Sequence, residues 1–393
     1  MIYIDYNATT PLDTRVRDSM RPWSSDKFGN ASSRDHAFGW DAEEAVEDAR
    51  FHVGNLINAK TSEIIFTSCA TESINLVLKG LVHAKDANGR TIITSVPEHE
   101  AVLGACRQIE ARMGVKVQYL PVDRYGNIDL ADWAHNIIKG ETFLVSLILA
   151  NNEIGTINPI REVARIAHDA GTLFFTDATQ AIGKISVDVR ADGIDLMAFS
   201  AHKIYGPKGV GALFIRSGEP KIEIEPLIAG GGQERGLRGG TLNVPGIVGF
   251  GEACRIAQME MEEETERVRK LRDKLERTLF AELPDIWING QKSNRLPNTS
   301  NIGFSGVDAR TLIRDMHDIA VSTRSACSSS STGPSHVLKA LGLTDEQAYS
   351  CIRFSLGRFT TEEEIDYAVK KVISSVRRLR SHSMISITNE RIH

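Results

Sequence analysis

Leu173-Phe174-Phe175-Thr176-Asp177-Ala178-Thr179-Gln180 and, further on, Leu196-Met197-Ala198-Phe199-Ser200-Ala201-His202-Lys203 are two short apolar runs, each closing on a group that can do chemistry. Runs of this length, rich in aromatic and branched residues, read as buried strands rather than helices. Working outward, residues 63–67, 91–95, 115–122, 142–150 and 210–216 read the same way, making seven strand candidates with 173–177 and 196–200. Amphipathic helical stretches lie between the earlier ones at 71–84, 98–112 and 160–170. Pro159 opens the last of these and Gly171 stops it, the expected punctuation. Strands alternating with helices predict an α/β fold with a mainly parallel sheet. Such sheets bind ligands at the carboxyl ends of their strands.

The pattern changes after a glycine-rich stretch at 230–240. A long helix is predicted over 245–283, its Val268, Leu271, Leu275 and Leu279 recurring at helical spacing beneath a charged face. Beyond Pro284 a smaller α+β unit is expected, with strands near 298–304 and 349–354 and a final helix over 361–380.

Composition narrows the class. The 393 residues carry 46 Lys plus Arg against 51 Asp plus Glu, a net charge of −5, which argues against a non-specific nucleic-acid binder. No apolar run approaches the ~20 residues of a membrane span, and Met1-Ile2-Tyr3-Ile4-Asp5 has no basic region before an apolar core, so a cytoplasmic protein is expected. The five cysteines, at 69, 106, 254, 327 and 351, are scattered without CxxC spacing. That excludes a recognisable zinc framework, so no metal site is expected, and it disfavours a disulfide scaffold.

Three pieces then converge. Asp177 closes one strand and Lys203 follows another, where partial desolvation favours the neutral amine that forms a Schiff base. The third piece, Ile64-Ile65-Phe66-Thr67-Ser68-Cys69-Ala70-Thr71-Glu72-Ser73, breaks from strand into small hydroxyl residues and then helix, leaving backbone N–H groups to hold an anion. Each has a plainer reading: Asp177 as a helix cap, Lys203 and Lys208 as turn lysines, Ser and Thr as ordinary caps. Jointly they are what pyridoxal 5'-phosphate requires: a carboxylate to keep the pyridine nitrogen protonated, a lysine for the aldehyde and a phosphate cradle. The competing nucleotide reading fails, because Arg235 stands where the last glycine of G-x-G-x-x-G would be and no P-loop pattern occurs.

Asp5-Tyr6-Asn7-Ala8-Thr9-Thr10-Pro11, the segment 67–73, Asn151-Asn152-Glu153-Ile154-Gly155, the segment 176–180, Ser200 to Gly209 and Arg353-Phe354-Ser355-Leu356-Gly357-Arg358 together resemble the IscS/NifS-type cysteine desulfurases, from Tyr3 to about Arg380. These belong to the class V aminotransferase group of fold-type I pyridoxal-phosphate enzymes. The resemblance implies an arm (1–14) joining the small domain, a large cofactor-binding domain (15–255) and a small domain (256–393) led by the long helix and carrying the catalytic loop. It implies that Lys203 bonds the cofactor and later moves the substrate's Cα proton. Asp177 pairs with the pyridine nitrogen, Gln180 hydrogen-bonds the ring hydroxyl, and His99 stacks on the ring and assists proton transfer. Ala70, Thr71, Ser200 and His202 hold the phosphate. Thr241 reaches the phosphate of the partner subunit, hence a homodimer. Asn152, beside the cofactor, and Arg353 hold the substrate carboxylate, the arginine as a bidentate fork.

Cys327 lies in Val321-Ser322-Thr323-Arg324-Ser325-Ala326-Cys327-Ser328-Ser329-Ser330-Ser331-Thr332-Gly333, outside any apolar run and similar to the family's catalytic loop. Conversion of L-cysteine to L-alanine is implied, with a persulfide on Cys327 passed to a sulfur-acceptor protein. Iron–sulfur assembly, tRNA thiolation and DNA phosphorothioation are the open destinations. Arg324 and Cys69 stand where relatives often have glycine, and 381–393 departs from the family's usual scaffold-binding tail. A selenocysteine lyase or another class V aminotransferase-like enzyme is the alternative reading, and a non-enzymatic scaffold a weaker one.

Overall fold

The structure is a computed structural model that describes residues 1–84, 87, 89–323 and 333–390, the side chains of 383–390 excepted. Its strands are β1 (Ile2–Tyr3), β2 (Ile64–Thr67), β3 (Thr91–Ser95), β4 (Lys116–Leu120), β5 (Thr142–Ser146), β6 (Leu173–Asp177), β7 (Leu196–Ser200), β8 (Gly211–Ile215), β9 (Ile286–Asn289), β10 (Thr299–Phe304), β11 (Ile319–Ala320) and β12 (Cys351–Ser355). β2 to β8 form one seven-stranded sheet in the order β2-β8-β7-β6-β5-β3-β4. Only β8 runs antiparallel to its neighbours.

Alternation along the central strands explains why the sheet is covered on both faces. Phe174, Met197 and Phe199 join one apolar layer, and Phe175, Leu196 and Ala198 the opposite one. Successive side chains of a strand point to opposite faces, so near-continuous apolar runs require helices on both sides. Helices Ala70–Ala84 and Glu100–Met113 supply one cover; Ala37–Leu56 and Ile160–Asp169 supply the other.

β5 is shorter than the predicted 142–150. Past Ser146 the neighbouring strand β3 has ended, so Ile148 N–H donates to the Glu98 carboxylate instead, while Leu147 and Leu149 still donate to β6 carbonyls. The long helix is Val244–Glu282, 39 residues and about 58 Å at 1.5 Å per residue. Its first part, through Phe250 and Cys254, packs under the large sheet, and its second, through Val268, Leu275 and Leu279, packs in a separate core with β10 and β12. The final helix runs Glu362–Glu390, beyond the expected 380.

The chain's start belongs to that second core. β1 pairs in parallel with β11, Ile4 is buried there, and Asp5 bridges to Ser355 of β12. The antiparallel sheet β12-β10-β9 completes this unit. Among the described residues no helix is long and apolar enough to cross a membrane, and no group of His, Cys, Asp and Glu is placed to hold a metal ion.

Candidate active site

The carboxyl ends of β2, β6 and β7 open onto one cavity. Ala70, Thr71, His99, Asn152, Asp177 and Gln180 line it, with Ser200, His202, Lys203 and Arg353 on its other walls. Thr241 is exposed and does not line this cavity. Cys327 lies outside the described residues, as does Arg324.

Asp177 ends β6 buried, and its Oδ1 accepts from Thr179 N at 2.9 Å, an Asx turn that fixes the carboxylate at the strand end. The capping reading of this residue is therefore met by one oxygen, and Oδ2 has no hydrogen bond among the described residues. Lys203 sits in the single turn Ala201–Lys203 after β7, and its Nζ donates to Asn7 O at 2.6 Å and Ala8 O at 2.7 Å. Gln180 donates from Nε2 to the same Asn7 carbonyl at 2.9 Å. The N-terminal arm thus forms the floor against which the lysine and glutamine rest.

His202 rests against that floor, its Nδ1 3.1 Å from Thr9 Oγ1. Burial, then the positive charges of Lys203, Lys208 and Lys184, push its pKa down to about 3, so the imidazole is neutral near pH 7. His99 caps helix Glu100–Met113, its Nδ1 accepting from Ala101 N at 3.2 Å, which places the ring's proton on Nε2 when neutral. The next helix start is tighter still. Gly211 of β8 lies against the turn before Ala70: a Cβ there would sit 2.8 Å from Cys69 Cα. Close approach of β8 holds the first N–H groups of helix Ala70–Ala84 toward the cavity, where they have no intrahelical acceptor.

Arg353 enters from β12 in the second unit and is 1 % exposed. Its Nη2 donates to Asp5 Oδ1 at 2.6 Å and Nη1 to Asn152 O at 3.0 Å, while Nε is buried without a partner. Its guanidinium is therefore already held by the arm and by the Asn152 loop, a preset fork rather than a free one.

Four contributors carried no assigned role in the sequence reading. Asn7 and Ala8 lie in a quoted motif, yet main-chain carbonyls leave no side-chain signal. Thr179 Oγ1 lines the cavity, buried and unpartnered. Glu98 is fully buried beside His99, its Oε1 accepting from Ile148 N and Ser95 Oγ at 2.8 Å each. Burial, with the charge of Asp177 adding, pushes its carboxyl up to about 8, so it is mainly protonated at neutral pH.

Residues 2–368 match the aminotransferase class-V family. The cysteine desulfurase IscS of Rickettsia bellii (strain OSU 85-389) is 49 % identical over 97 % of this chain and 92 % of its own length. The chain belongs to the cysteine desulfurases of the class-V aminotransferase family. A solved NifS-like protein is 41 % identical with a TM-score of 0.88, covering 95 % of this chain and 98 % of its own. The structure of SspA in complex with cysteine is 36 % identical with a TM-score of 0.79, covering 92 % and 100 %. Fold type I and dependence on pyridoxal 5'-phosphate follow for this desulfurase.

The residues present fit that cofactor. Among the described residues two that line the cavity, Thr179 and Arg353, each keep a buried polar atom without a partner, Oγ1 and Nε. The cavity also holds a strand-end carboxylate with one oxygen uncommitted, a lysine amine and a helix start. A carboxylate, an amine and a helix start around one space are the groups that a protonated pyridine ring, an aldehyde and a phosphate would meet.

Proposed function

We propose that this desulfurase takes sulfur from L-cysteine onto Cys327 as a persulfide and passes it to a protein acceptor, releasing L-alanine. The cavity supports the reading through one observation above the others: Lys203, Asp177, Gln180 and His99, from separate elements, converge on a single space closed by Arg353. When bound, pyridoxal 5'-phosphate supplies the electron sink that makes the substrate's C–S bond labile.

The chain's own groups then have distinct tasks. Lys203 would bond the cofactor's aldehyde and is placed to move the substrate's Cα proton. Asp177 would keep the pyridine nitrogen protonated, and Gln180 would donate to the ring hydroxyl. His99 would lie against the ring and move protons through Nε2. Ala70, Thr71, Ser200 and the neutral His202 hold the phosphate, Asn152 borders the ring, and Arg353 with Asn152 orients the substrate carboxylate. Cys327 as thiolate takes the substrate's SH, the bonding pair stays with the β-carbon, and one proton delivered there with one returned to the α-carbon completes alanine. The flanks of the Cys327 segment support this placing. Ser322 exchanges main-chain hydrogen bonds with Arg353, and His336 Nε2 lies 2.9 Å from Glu98 O.

The reading extends to a homodimer in which Thr241 meets the partner's cofactor phosphate; its exposure on the loop before the long helix supports that. The division at 14 and 255 into arm, large domain and small domain is part of the same proposal, as is a cytoplasmic location. Iron–sulfur assembly, tRNA thiolation and DNA phosphorothioation remain the candidate destinations, separable by transfer of labelled sulfur into each acceptor. The test of the central step is Cys327→Ser. It is expected to keep the cofactor's visible absorption and lose alanine and sulfide formation; unimpaired turnover overturns the assignment. Selenide release exceeding sulfide release in the parent enzyme would favour a selenocysteine lyase.

A further inference from the structure

Lys184 lies one turn beyond Gln180, outside the cavity, half-buried with its amine desolvated, and among the described residues it makes no salt bridge. Glu264, an acid whose charge reaches the amine, is committed elsewhere: its oxygens accept from Tyr205 Oη at 2.9 Å and Arg358 Nε at 2.8 Å. The amine's two hydrogen bonds both go to Gln180, to its main-chain O and its side-chain Oε1, each at 3.0 Å. An apolar side chain of similar length would fill this space without the cost of burying an amine.

The amide of a glutamine has two ends of nearly equal shape and opposite hydrogen-bonding character. Asn7 O, on the cavity side, only accepts; it takes Gln180 Nε2 at 2.9 Å and Lys203 Nζ at 2.6 Å. On the far side Lys184 donates. The four groups form one continuous row, Lys184 to Gln180 to Asn7 O and back from Lys203.

We infer that Lys184 is a positioning residue: it fixes the Gln180 amide so that only its NH₂ end faces the cofactor. Burial, with the charge of Lys203 adding, brings the Lys184 pKa down to about 7. Both protonation states of the amine retain the two N–H donors this role uses, so the orientation survives across neutral pH. A ring oxygen meeting Gln180 therefore meets a donor, never the amide oxygen. The inference rests on the cofactor role proposed above for Gln180.

A double-mutant cycle tests it. Lys184→Met, Gln180→Ala and the double variant are purified at full length, stripped of cofactor and titrated with pyridoxal 5'-phosphate, following affinity and the absorption maximum of the bound cofactor. Lys184→Met is expected to weaken affinity about tenfold, the worth of one well-placed hydrogen bond, and to move the band in the same direction as Gln180→Ala. In the Gln180→Ala background it should cost less than about twofold, since coupled residues do not add. Equal losses in both backgrounds, or an unchanged affinity and band, overturn the inference. No effect of Gln180→Ala alone removes the Gln180 role and the inference with it. Should Lys184→Met fail to fold, Lys184→Leu carries the same comparison.

Discussion

Two buried polar regions lie close together in this protein and are built on opposite rules. In the loop before the long helix, Glu234 is saturated: it takes Arg50 Nη1 and Nη2 at 2.8 Å each and Phe66 N at 2.6 Å. Arg235 beside it donates to Ile64 O at 3.0 Å, and both Glu234 and Arg235 are held at positive φ, 46° and 57°. Around the cavity the opposite holds, for Glu98 Oε2, Thr179 Oγ1 and Arg353 Nε are all buried and unpartnered. Strain locked by complete hydrogen bonding serves the fold, whereas unmet hydrogen-bonding capacity serves a ligand.

Breaking the saturated region should give the largest effect. Glu234→Ala leaves Arg50 buried without its main partner, and a loss of roughly 3–5 kcal/mol is expected, read from chemical denaturation. An unchanged midpoint would erase the contrast.

The second prediction concerns the unsaturated side and its sign in pH. The Glu98 carboxyl is raised to about 8 when folded, so the folded state holds a proton that the unfolded chain has already released. Its stabilising contribution is complete below the unfolded value and is lost as pH rises through about 8. Between pH 6 and 8 the parent should therefore lose about 2 kcal/mol that Glu98→Gln does not lose. Parallel stability profiles for the two proteins would count against a protonated Glu98.

The smallest effect sharpens the comparison from within the loop itself. Thr241 shares the loop with Glu234 but is exposed. On the dimer reading, Thr241→Ala should leave stability within about 0.5 kcal/mol and weaken cofactor affinity several-fold, roughly 1 kcal/mol. Equal affinity in variant and parent would detach Thr241 from the partner's site.

Much of this was legible because it is local. The apolar runs ending at Asp177 and Ser200 are the observed strands β6 and β7, and Lys203 follows directly because strand ends face ligands. The saturated loop was not legible, since Gly230 to Gly240 read only as a failed nucleotide motif and nothing in it announces that Glu234 meets Arg50. β1 and β11 were also missed: two-residue strands have no period to detect, and their pairing joins Ile2 to Ile319. The carbonyls of Asn7 and Ala8 escaped for a different reason. Their role depends on backbone direction, which any residue type can supply. Lys184 could be seen as a lysine but not as one with a desolvated amine, because its surroundings come from the long helix and from residues near Leu356.

The arm's anchorage sets a timetable for synthesis. Asn7, whose carbonyl receives both Lys203 and Gln180, is fastened by Ser355, 348 positions later. At 5–20 residues per second, roughly 20–70 s separate the emergence of these two partners from the ribosome. During that interval the strand-end residues of β6 and β7 can already assemble and hold the arm through Asn152 and His202, but its fastening to Ser355 is still missing. Loop closure over so long a segment must come last. The catalytic lysine therefore acquires its full setting only when translation has passed β12, and a chain halted before that point lacks both Arg353 and the arm's last fastening.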